Sequence, residues 1–392
     1  MFKVADFPES IRDYMIEKRR YIHANPELSL HEEKTRDYII AELNELGVSN
    51  QIVGTTGILG EMTGDRPGLT LMIRCELDAL PLTEETGLAF ASKTEGVMHA
   101  CGHDGHMAII LGLIKYLVDQ KVSFSGKLLF LFEPAEEIGA GARMVLEDFD
   151  SRGITVDEAI SVHTGTELKT GIISIHPGAV MSGTRTMKAL IRGKGGHSSR
   201  PDMTIDPINA MLSFLTTAQR LKDRTISPLD EAVLSFTGVH AGTKTNIVPE
   251  TCEVWASMRF FKDEVGEKLR DILTRTAKAT EEATGVTIDM VFSKGLPPVK
   301  NDPAVTLKCK TAAIQTFGEK DLLQNERLMQ SDDFGRILNR WPGCYAFAGA
   351  GFDKLDNPPG HSPKYNIDEN VFPYLVTYYL NYINNQEIVD VD

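Results

Sequence analysis

An alternation of short apolar runs with helical patterns is the feature that most limits what this chain can fold into. The apolar runs in the first part of the chain cover residues 69–75, 127–132 and 158–162. The helical patterns around them cover residues 9–23, 31–46 and a segment that begins near residue 104. Short apolar runs separated by helices are typical of buried strands in a largely parallel sheet with helices on both faces. This part of the sequence therefore predicts an α/β domain.

The pattern changes once, between residues 182 and 295. Strand and helix patterns follow one another there in the order β-α-β-β-α-β, over residues 184–191, 207–221, 232–239, 253–260, 264–284 and 286–292. This order is typical of a ferredoxin-like domain. The alternation of helix and strand patterns seen in the first part of the chain then resumes. It gives a helix, a strand and a helix over residues 304–317, 344–348 and 370–384.

The domain organisation follows from this interruption. With 392 residues, the chain is long for a single hydrophobic core. We predict a core domain formed by residues 1–181 and 296–392, interrupted by an inserted domain over residues 182–295. The predicted fold class is α/β, with a mixed, mostly parallel sheet in the core domain and a ferredoxin-like α+β inserted domain.

Charge and composition exclude several classes of partner. The net charge of −14 disfavours nucleic acid and anionic membrane surfaces, which select basic patches. No apolar run approaches the length of about 18 residues that a membrane span needs, and the first residues lack the layout of a signal peptide. The five cysteines are scattered and form no CxxC pair, which is typical of reduced thiols. We therefore expect a cytoplasmic protein.

The densest chemical signal is the segment from His99 to His106, in which three histidines and a cysteine lie within eight residues. Cys101 and His103 are donors that suit zinc, manganese, nickel or cobalt. The segment begins a predicted helix, whose N-terminus should lower the pKa of the Cys101 thiol and favour the thiolate. Taken alone, the motif also fits a polar loop with a buried structural cysteine.

Further donors follow other predicted strands. Glu136 and Glu137 come just after the strand over 127–132, His163 follows the strand over 158–162, and His361 lies in the loop after the strand over 344–348. Each alone also fits a structural role. In an open α/β sheet, however, ligands gather at the carboxyl ends of the strands. We therefore expect these side chains to converge.

A count of donors favours a pair of cations. Two tetrahedral cations need about eight coordination positions. Cys101 and a water, each bridging both cations, would supply four positions, and four further side chains would supply the rest, namely His103, His163, His361 and Glu137. Glu136 is then left over as a base. Asp78, at the end of another strand, either accepts a hydrogen bond from a ligand imidazole or forms a plain acidic turn.

The order and spacing of these motifs resemble the aminoacylase/carboxypeptidase family of metal-dependent amidohydrolases. The similar branch contains N-acyl-amino-acid amidohydrolases, hippurate hydrolases, N-acetyldiaminopimelate deacetylases and plant auxin-conjugate hydrolases. The matching motifs span nearly the whole chain, at residues 19–27, around Asp78, and at 99–104, 134–137, 195–197, 246–250 and 361–363.

The resemblance implies a metal-dependent hydrolysis of the amide bond of a small N-acylated amino acid or peptide. It implies that two divalent metal ions (manganese, zinc, nickel or cobalt) are bound by Cys101, His103, Glu137, His163 and His361. Glu136 would be the general base, which takes a proton from the attacking water and returns it to the leaving amine.

The inserted domain would be a lid that mediates a homodimer, or a tetramer. On it, His197 and Asn246 match residues that reach the substrate, and His197 would stabilise the oxyanion. Arg259 falls at the position of a lid arginine, where it either binds a substrate carboxylate or forms a plain salt bridge.

Three residues depart from the pattern of this branch. Cys75 and Glu76 stand where Ala and Asp are usual, and Glu133 stands where Gln is common. We expect Glu76 to alter the surroundings of Asp78, and Glu133 to add negative charge near the site. None of these changes removes a predicted ligand.

Three alternatives remain open at this stage. A metallo-carboxypeptidase or dipeptidase of the same family would differ only on the acyl side of the substrate. A thiol hydrolase would use Cys101 as nucleophile and His103 as base, but it leaves the other donors without a role. A non-catalytic binding protein would have no use for Glu136.

Overall fold

A computed structural model describes residues 1–324, 327–353 and 356–386, and it divides the chain into two compact units. The first unit comprises the described residues of Met1–Val180, Lys300–Glu326 and Asp332–Asp392. The second unit comprises Met181–Val299 and the short segment Arg327–Ser331. No sequence pattern indicated that this short segment belongs with the second unit.

The regular elements are numbered in chain order. The helices of the described residues are α1 (Glu9–Ala24), α2 (Glu33–Glu45), α3 (His103–Asp119), α4 (Gly141–Arg152), α5 (Pro207–Thr225), α6 (Asp263–Thr284), α7 (Pro303–Phe317), α8 (Phe334–Leu338) and α9 (Val371–Asn385). The strands are β1 (Ser49–Val53), β2 (Gly57–Thr63), β3 (Arg66–Glu76), β4 (Ser125–Glu133), β5 (Glu158–Lys169), β6 (Ile173–Ser174), β7 (Gly178–Met181), β8 (Gly183–Arg192), β9 (Gly196–His197), β10 (Ala232–Ala241), β11 (Ile247–Val248), β12 (Thr251–Phe260), β13 (Thr287–Phe292), β14 (Val299–Asn301), β15 (Leu322–Leu323) and β16 (Gly343–Gly351).

The first unit is built on an eight-stranded sheet with the order β1-β2-β4-β3-β5-β16-β6-β15. The four central strands, β4, β3, β5 and β16, run parallel to one another. Strands β1 and β2 are antiparallel at one edge, and β6 is antiparallel to β16. This topology confirms the predicted mixed, mostly parallel sheet.

Helix α3 lies at the centre of this unit. It packs against β3 and also against α1 and α9, so apolar side chains are buried on most of its surface, from Met107 to Leu117. The central strands are likewise buried on both faces, as Leu71, Met72 and Ile73 show in consecutive positions of β3. The consecutive apolar residues that predicted these strands therefore reflect burial on two sides.

The second unit is a four-stranded antiparallel sheet with the order β10-β12-β8-β13. Helices α5 and α6 cover one face, and alternate residues of β12 from Cys252 to Phe260 are buried beneath them. The residues between them, such as Trp255, retain partial exposure on the other face. This arrangement confirms the predicted ferredoxin-like order.

None of the helices in the described part of the chain combines the length and apolar character that a bilayer-spanning segment needs.

One helix in each unit begins with the same Asp-Pro cap. Asp206, before α5, accepts hydrogen bonds from the main-chain N–H groups of Ile208 and Asn209 at 2.8 and 3.4 Å. Asp302, before α7, accepts in the same way from the two N–H groups that follow Pro303, at 2.8 and 3.0 Å. The carboxylates thus satisfy donors that have no partner within the helix.

We expect Asp206→Ala and Asp302→Ala each to lower the free energy of unfolding by about 0.5–2 kcal/mol, because each leaves helix N–H groups without an acceptor. Amide exchange followed by mass spectrometry should speed up mainly in the unit that carries the substitution. Equal acceleration in both units from either variant would contradict separate unfolding of the two units.

Candidate metal centre

A glycine sets the direction of the chain where α3 begins. Gly102 has a φ of 93°, in the left-handed region that other residues rarely adopt. A Cβ atom there would also lie 2.8 Å from Thr164 Oγ1 and 2.9 Å from the hydroxyl of Tyr365. This turn lets Cys101 and His103, on either side of Gly102, present their side chains to the same place.

The structure brings the five predicted ligands together. Donor atoms lie within 4.8 Å of one another in three overlapping groups, which are Cys101/His103/His163, Cys101/Glu137/His361 and His103/Glu136/Glu137. Cys101 Sγ lies 3.4 Å from His163 Nε2, and His361 Nε2 lies 3.4 Å from Glu137 Oε2. Because Cys101 belongs to two of these groups, its position suits a donor shared by two cations.

The imidazoles are oriented for binding. His103 Nδ1 lies 2.8 Å from the main-chain oxygen of Asp78, and His163 Nδ1 lies 2.8 Å from that of Thr164. A carbonyl oxygen only accepts, so Nδ1 carries the proton in both rings, and Nε2 keeps its lone pair towards the cluster. In addition, Glu137 Oε1 is buried without a hydrogen-bond partner among the described residues. This donor set fits divalent metal ions.

The predicted effect of the helix N-terminus on Cys101 is not what the structure shows. Burial, followed by the charge of Glu137, raises the pKa of the Cys101 thiol. The helix dipole is worth little against the removal of water and a nearby carboxylate. By contrast, burial and then the neighbouring His106 lower the pKa of His163, which keeps that imidazole neutral.

Asp78 supports the cluster mainly through main-chain contacts. Its Oδ2 accepts hydrogen bonds from Ser29 Oγ at 2.6 Å and from the N–H of Glu137 at 2.9 Å. The imidazole of His103 lies 3.5 Å from its Oδ1 but 2.8 Å from its main-chain oxygen. The Asp78 carboxylate thus holds the main chain of Glu137, and its carbonyl orients His103.

Glu136 lies between two groups of polar side chains. Its carboxyl group shares one group of donor atoms with His103 and Glu137, and another with Asp332 and Asp333. It is 9% exposed. Burial, followed by the charges of Asp332 and Glu137, raises the pKa of its carboxyl group. A carboxyl group in such surroundings is suited to take up and hold a proton.

A buried arginine lies behind this carboxyl group. Arg74 donates to Glu133 Oε2 at 2.6 Å, to Asp332 Oδ1 at 3.0 Å and to Asp333 Oδ1 at 3.2 Å, and it also contacts Glu76. We call these five side chains the Arg74 cluster. No sequence pattern indicated a role for Arg74 or for the two aspartates, which are adjacent acids just before α8.

Two of the sequence departures lie in the Arg74 cluster. Glu76 contacts Arg74, and its Oε2 lies 2.6 Å from His106 Nδ1. It forms no hydrogen bond with Asp78, but its donor atom lies within 4.8 Å of one of His103, whose ring the carbonyl of Asp78 orients. Burial raises the pKa of Glu133 although Arg74 opposes this effect. The negative charge expected from Glu133 is correspondingly reduced.

We expect Glu133→Gln to stabilise the protein at neutral and alkaline pH. Since the pKa of Glu133 is raised on folding, the folded state keeps a proton that the unfolded chain releases above about pH 4.5. The free energy of unfolding must then fall as the pH rises from about 4.5 through the pKa that Glu133 has in the folded state. Gln carries no such proton, and its carbonyl can still accept from Arg74.

The measurement is the free energy of unfolding in denaturant between about pH 5 and about pH 9. Glu147→Gln, a change at an exposed acid of α4, is the matched control and should keep the pH dependence of the wild type. An unchanged slope in Glu133→Gln would refute the expectation.

Two predicted substrate residues, His197 and Asn246, lie in the second unit. His197 in β9 pairs with Ile247 in β11, and the N–H of Ser198 donates to the main-chain oxygen of Asn246 at 3.1 Å. The N–H of Ser199 donates to His197 Nδ1 at 3.2 Å. Because Nδ1 accepts, the neutral ring carries its proton on Nε2, which is then a donor. His197 and Asn246 are thus close neighbours.

Arg259 lies on the partly exposed face of β12 and donates to Ser331 Oγ. Within the described residues no carboxylate forms an ion pair with it, and burial lowers the pKa of its guanidinium. The plain salt bridge that the sequence left open therefore has no partner in this part of the chain.

Comparisons with known proteins agree with one family. The model described as peptidase family M20/M25/M40 matches residues 72–385. The chain is 34% identical over 377 residues to thermostable carboxypeptidase 2 of Saccharolobus solfataricus, with 94% of each chain covered. It is 32% identical to N-acetyl-L-cysteine deacetylase of Bacillus subtilis, with 92% of this chain and 85% of the relative covered.

A solved structure extends this likeness. It is a Bacillus subtilis protein described as a dinuclear metal binding peptidase from the M20 family, with a TM-score of 0.83 and 29% identity. The match covers 97% of this chain and all of the other.

Proposed function

This chain belongs to peptidase family M20/M25/M40, and on that premise we propose that it is a metal-dependent amidohydrolase of N-acylated amino acids. The observation that carries the proposal is the convergence of five donor side chains beside a carboxyl group that is not needed as a ligand. The donors are Cys101, His103, Glu137, His163 and His361, and the carboxyl group is that of Glu136. Deacetylases of N-acetylcysteine and N-acetyldiaminopimelate among the relatives support an N-acyl substrate.

These five residues would hold two divalent cations, manganese, zinc, nickel or cobalt. Bound cations would lower the pKa of a water molecule and polarise the amide carbonyl of the substrate. His103 and His163 present Nε2 because their Nδ1 atoms are held by main-chain oxygens.

Glu136 is the proposed general base. Its carboxylate takes a proton from the attacking water and later gives it to the leaving amine, so the products are a carboxylic acid and a free amino acid. The buried position of Glu136 and the raised pKa of its carboxyl group support this role, since the proton must be held between the two steps.

We assign residues 1–181 and 296–392 as the catalytic domain and residues 182–295 as the inserted lid. The two units match these ranges except at residues 181, 296–299 and 327–331, which belong to the second unit. On the lid, the Nε2 proton of His197 suits an oxyanion donor, and Asn246 lies beside it. Arg259 offers a guanidinium without a carboxylate partner among the described residues, which suits the free carboxylate of an amino-acid substrate.

We also propose a homodimer through the lid, or a tetramer built from such dimers. Strands β10 and β13 are the edges of the four-stranded sheet within the described residues, and an edge strand can pair with a second copy. All five cysteines are free, which supports a reducing compartment, the cytoplasm.

Glu136→Gln should lower kcat by about 10²–10⁴-fold, because an amide cannot accept the proton of the attacking water. Its bound metal, measured by elemental analysis of the purified protein, should equal that of the wild type. Glu137→Gln is the matched control one residue along, and it should lose bound metal as well as activity. Full activity in Glu136→Gln would rule out Glu136 as the base.

Chelation separates the proposal from a thiol hydrolase. If cations carry the chemistry, a chelator should abolish activity, and manganese, zinc or cobalt should restore it. Activity that survives chelation but is lost on alkylation of Cys101 would favour the thiol mechanism instead.

A substrate screen separates an aminoacylase from the alternative supported by the carboxypeptidase relatives. We expect release of free amino acid from N-acetyl or N-benzoyl amino acids to exceed that from dipeptides.

Arg259→Ala should raise KM about 10-fold or more for substrates with a free carboxylate, and much less for their carboxamides, because the lost contact is charge-assisted. Equal effects on both substrate types would contradict carboxylate binding by Arg259.

A further inference from the structure

The turn that follows β4 contains a strained residue just before Glu136. Ala135 has a φ of 52° and is fully buried. Alanine rarely adopts this left-handed conformation, and it persists only where the surroundings impose it. The main-chain oxygen of Ala135 accepts from the N–H groups of Ala140 and Gly141, at 3.2 Å each, which closes the turn on its far side.

Glu32 holds the near side of this turn. It precedes α2, and it is 0% exposed. Its Oε1 accepts the N–H of Ala135 at 2.8 Å, and its Oε2 accepts the hydroxyl of Thr56 at 2.6 Å. Both oxygens of a fully buried carboxylate are thus used, one of them on the strained peptide. A buried charge of this kind is retained only where its hydrogen bonds are made.

A second contact from the same N-terminal segment reaches the other side of Glu136. Ser29 Oγ donates to Asp78 Oδ2 at 2.6 Å, and the same oxygen accepts the N–H of Glu137 at 2.9 Å. The peptide before Ala135 and the peptide after Glu136 are therefore both held by carboxylates that residues 29–32 supply or orient. The main chain is thus held on both sides of Glu136, at Ala135 and at Glu137.

We propose that Glu32 is a positioning residue for the general base: by holding the Ala135 N–H it maintains the left-handed turn that presents Glu136 and Glu137. The proposal rests on the roles proposed above for those two residues. Glu32 touches no predicted ligand and lies about one hundred residues away in the sequence. Its effect on catalysis would run through the main chain alone.

The test compares Glu32→Ala with the conservative Glu32→Gln. Glu32→Ala should lower kcat by about 10–100-fold with a much smaller change in KM, because displacement of a catalytic group by about 1 Å costs this much. Glu32→Gln keeps a carbonyl for the Ala135 N–H, and its amide can donate to Thr56, so it should recover most of the lost turnover. Where Glu32→Ala gives too little folded protein, Thr56→Val replaces it, with a smaller loss in the same direction.

Ala135→Gly provides the structural arm. Glycine adopts a positive φ without strain, so Ala135→Gly alone should keep kcat, and in its presence Glu32→Ala should cost less than in the wild type. Amide exchange of the peptide spanning residues 133–141 should rise in Glu32→Ala and less in the double variant. This readout, together with manganese binding by titration, does not depend on which substrate the enzyme takes.

Glu27→Gln is the matched control. The side chain of Glu27 accepts the N–H of Thr35 at 2.8 Å and so supports the same helix, and it has no hydrogen bond to the Ala135 turn or to a predicted ligand. Its main-chain oxygen accepts the N–H of Ala79, a contact that the substitution keeps. The substitution Glu27→Gln should lower the thermal stability of the protein without changing kcat. The proposal is overturned if Glu32→Ala and Thr56→Val both keep wild-type turnover, or if Glu27→Gln loses as much as Glu32→Ala. A wild type without hydrolytic activity would instead refute the proposed function and leave the exchange result to decide the role of Glu32.

Discussion

The site depends on one buried guanidinium, that of Arg74. Its side chain contacts carboxylates at the end of β3, at the end of β4 and just before α8, which are Glu76, Glu133, Asp332 and Asp333. Removal of the cation from such a set would leave several buried negative charges unpaired, at a cost of several kcal/mol. Arg74 thus fixes the ends of the two strands from which the segments bearing Asp78 and Glu136 leave.

The Arg74 cluster also sets the electrostatics behind Glu136. Four carboxylates face one guanidinium, and burial raises the pKa of both Glu133 and Asp333. The raised pKa values favour the protonated forms of these two acids, and Asp332 is one of the groups that raise the pKa of Glu136. The fold therefore places an acid-rich interior on one side of the proposed base and the metal ligands on the other. A carboxyl group between them is favoured to bind a proton when the surrounding negative charge is high.

The sequence predicted those features that have a local signature. Consecutive apolar residues identified the central strands, and donors that follow a predicted strand or begin a helix identified Cys101, His163 and Glu137. The predicted end of one strand was wrong, because β5 continues past His163 to Lys169. Strand β1 was not predicted, because it is exposed on most of its residues and gives no apolar run. The more buried strand β2 beside it was not predicted either. Asp332 and Glu32 were not predicted either, since their contacts join segments far apart in the chain and no spacing reports them. The effect of burial on Cys101 was missed for the same reason, because burial is a property of the packed fold.

Backbone strain shows how the separate segments of the site constrain one another. Among the described residues, the non-glycine positions with positive φ are Leu30, Lys121, Ala135 and His361. The N–H of His361 donates to the main-chain oxygen of Ala100, next to Cys101, at 2.8 Å, much as Ala135 is held by Glu32. Ala135 and His361 are thus each fixed by a segment that also supports a different part of the site. A loop that relaxed on its own would lose a hydrogen bond to a distant segment, so the loops keep their strained geometry only together. Because rigidity arises from these mutual contacts, ligands spread over some 260 residues of sequence can be held in one place without a continuous motif.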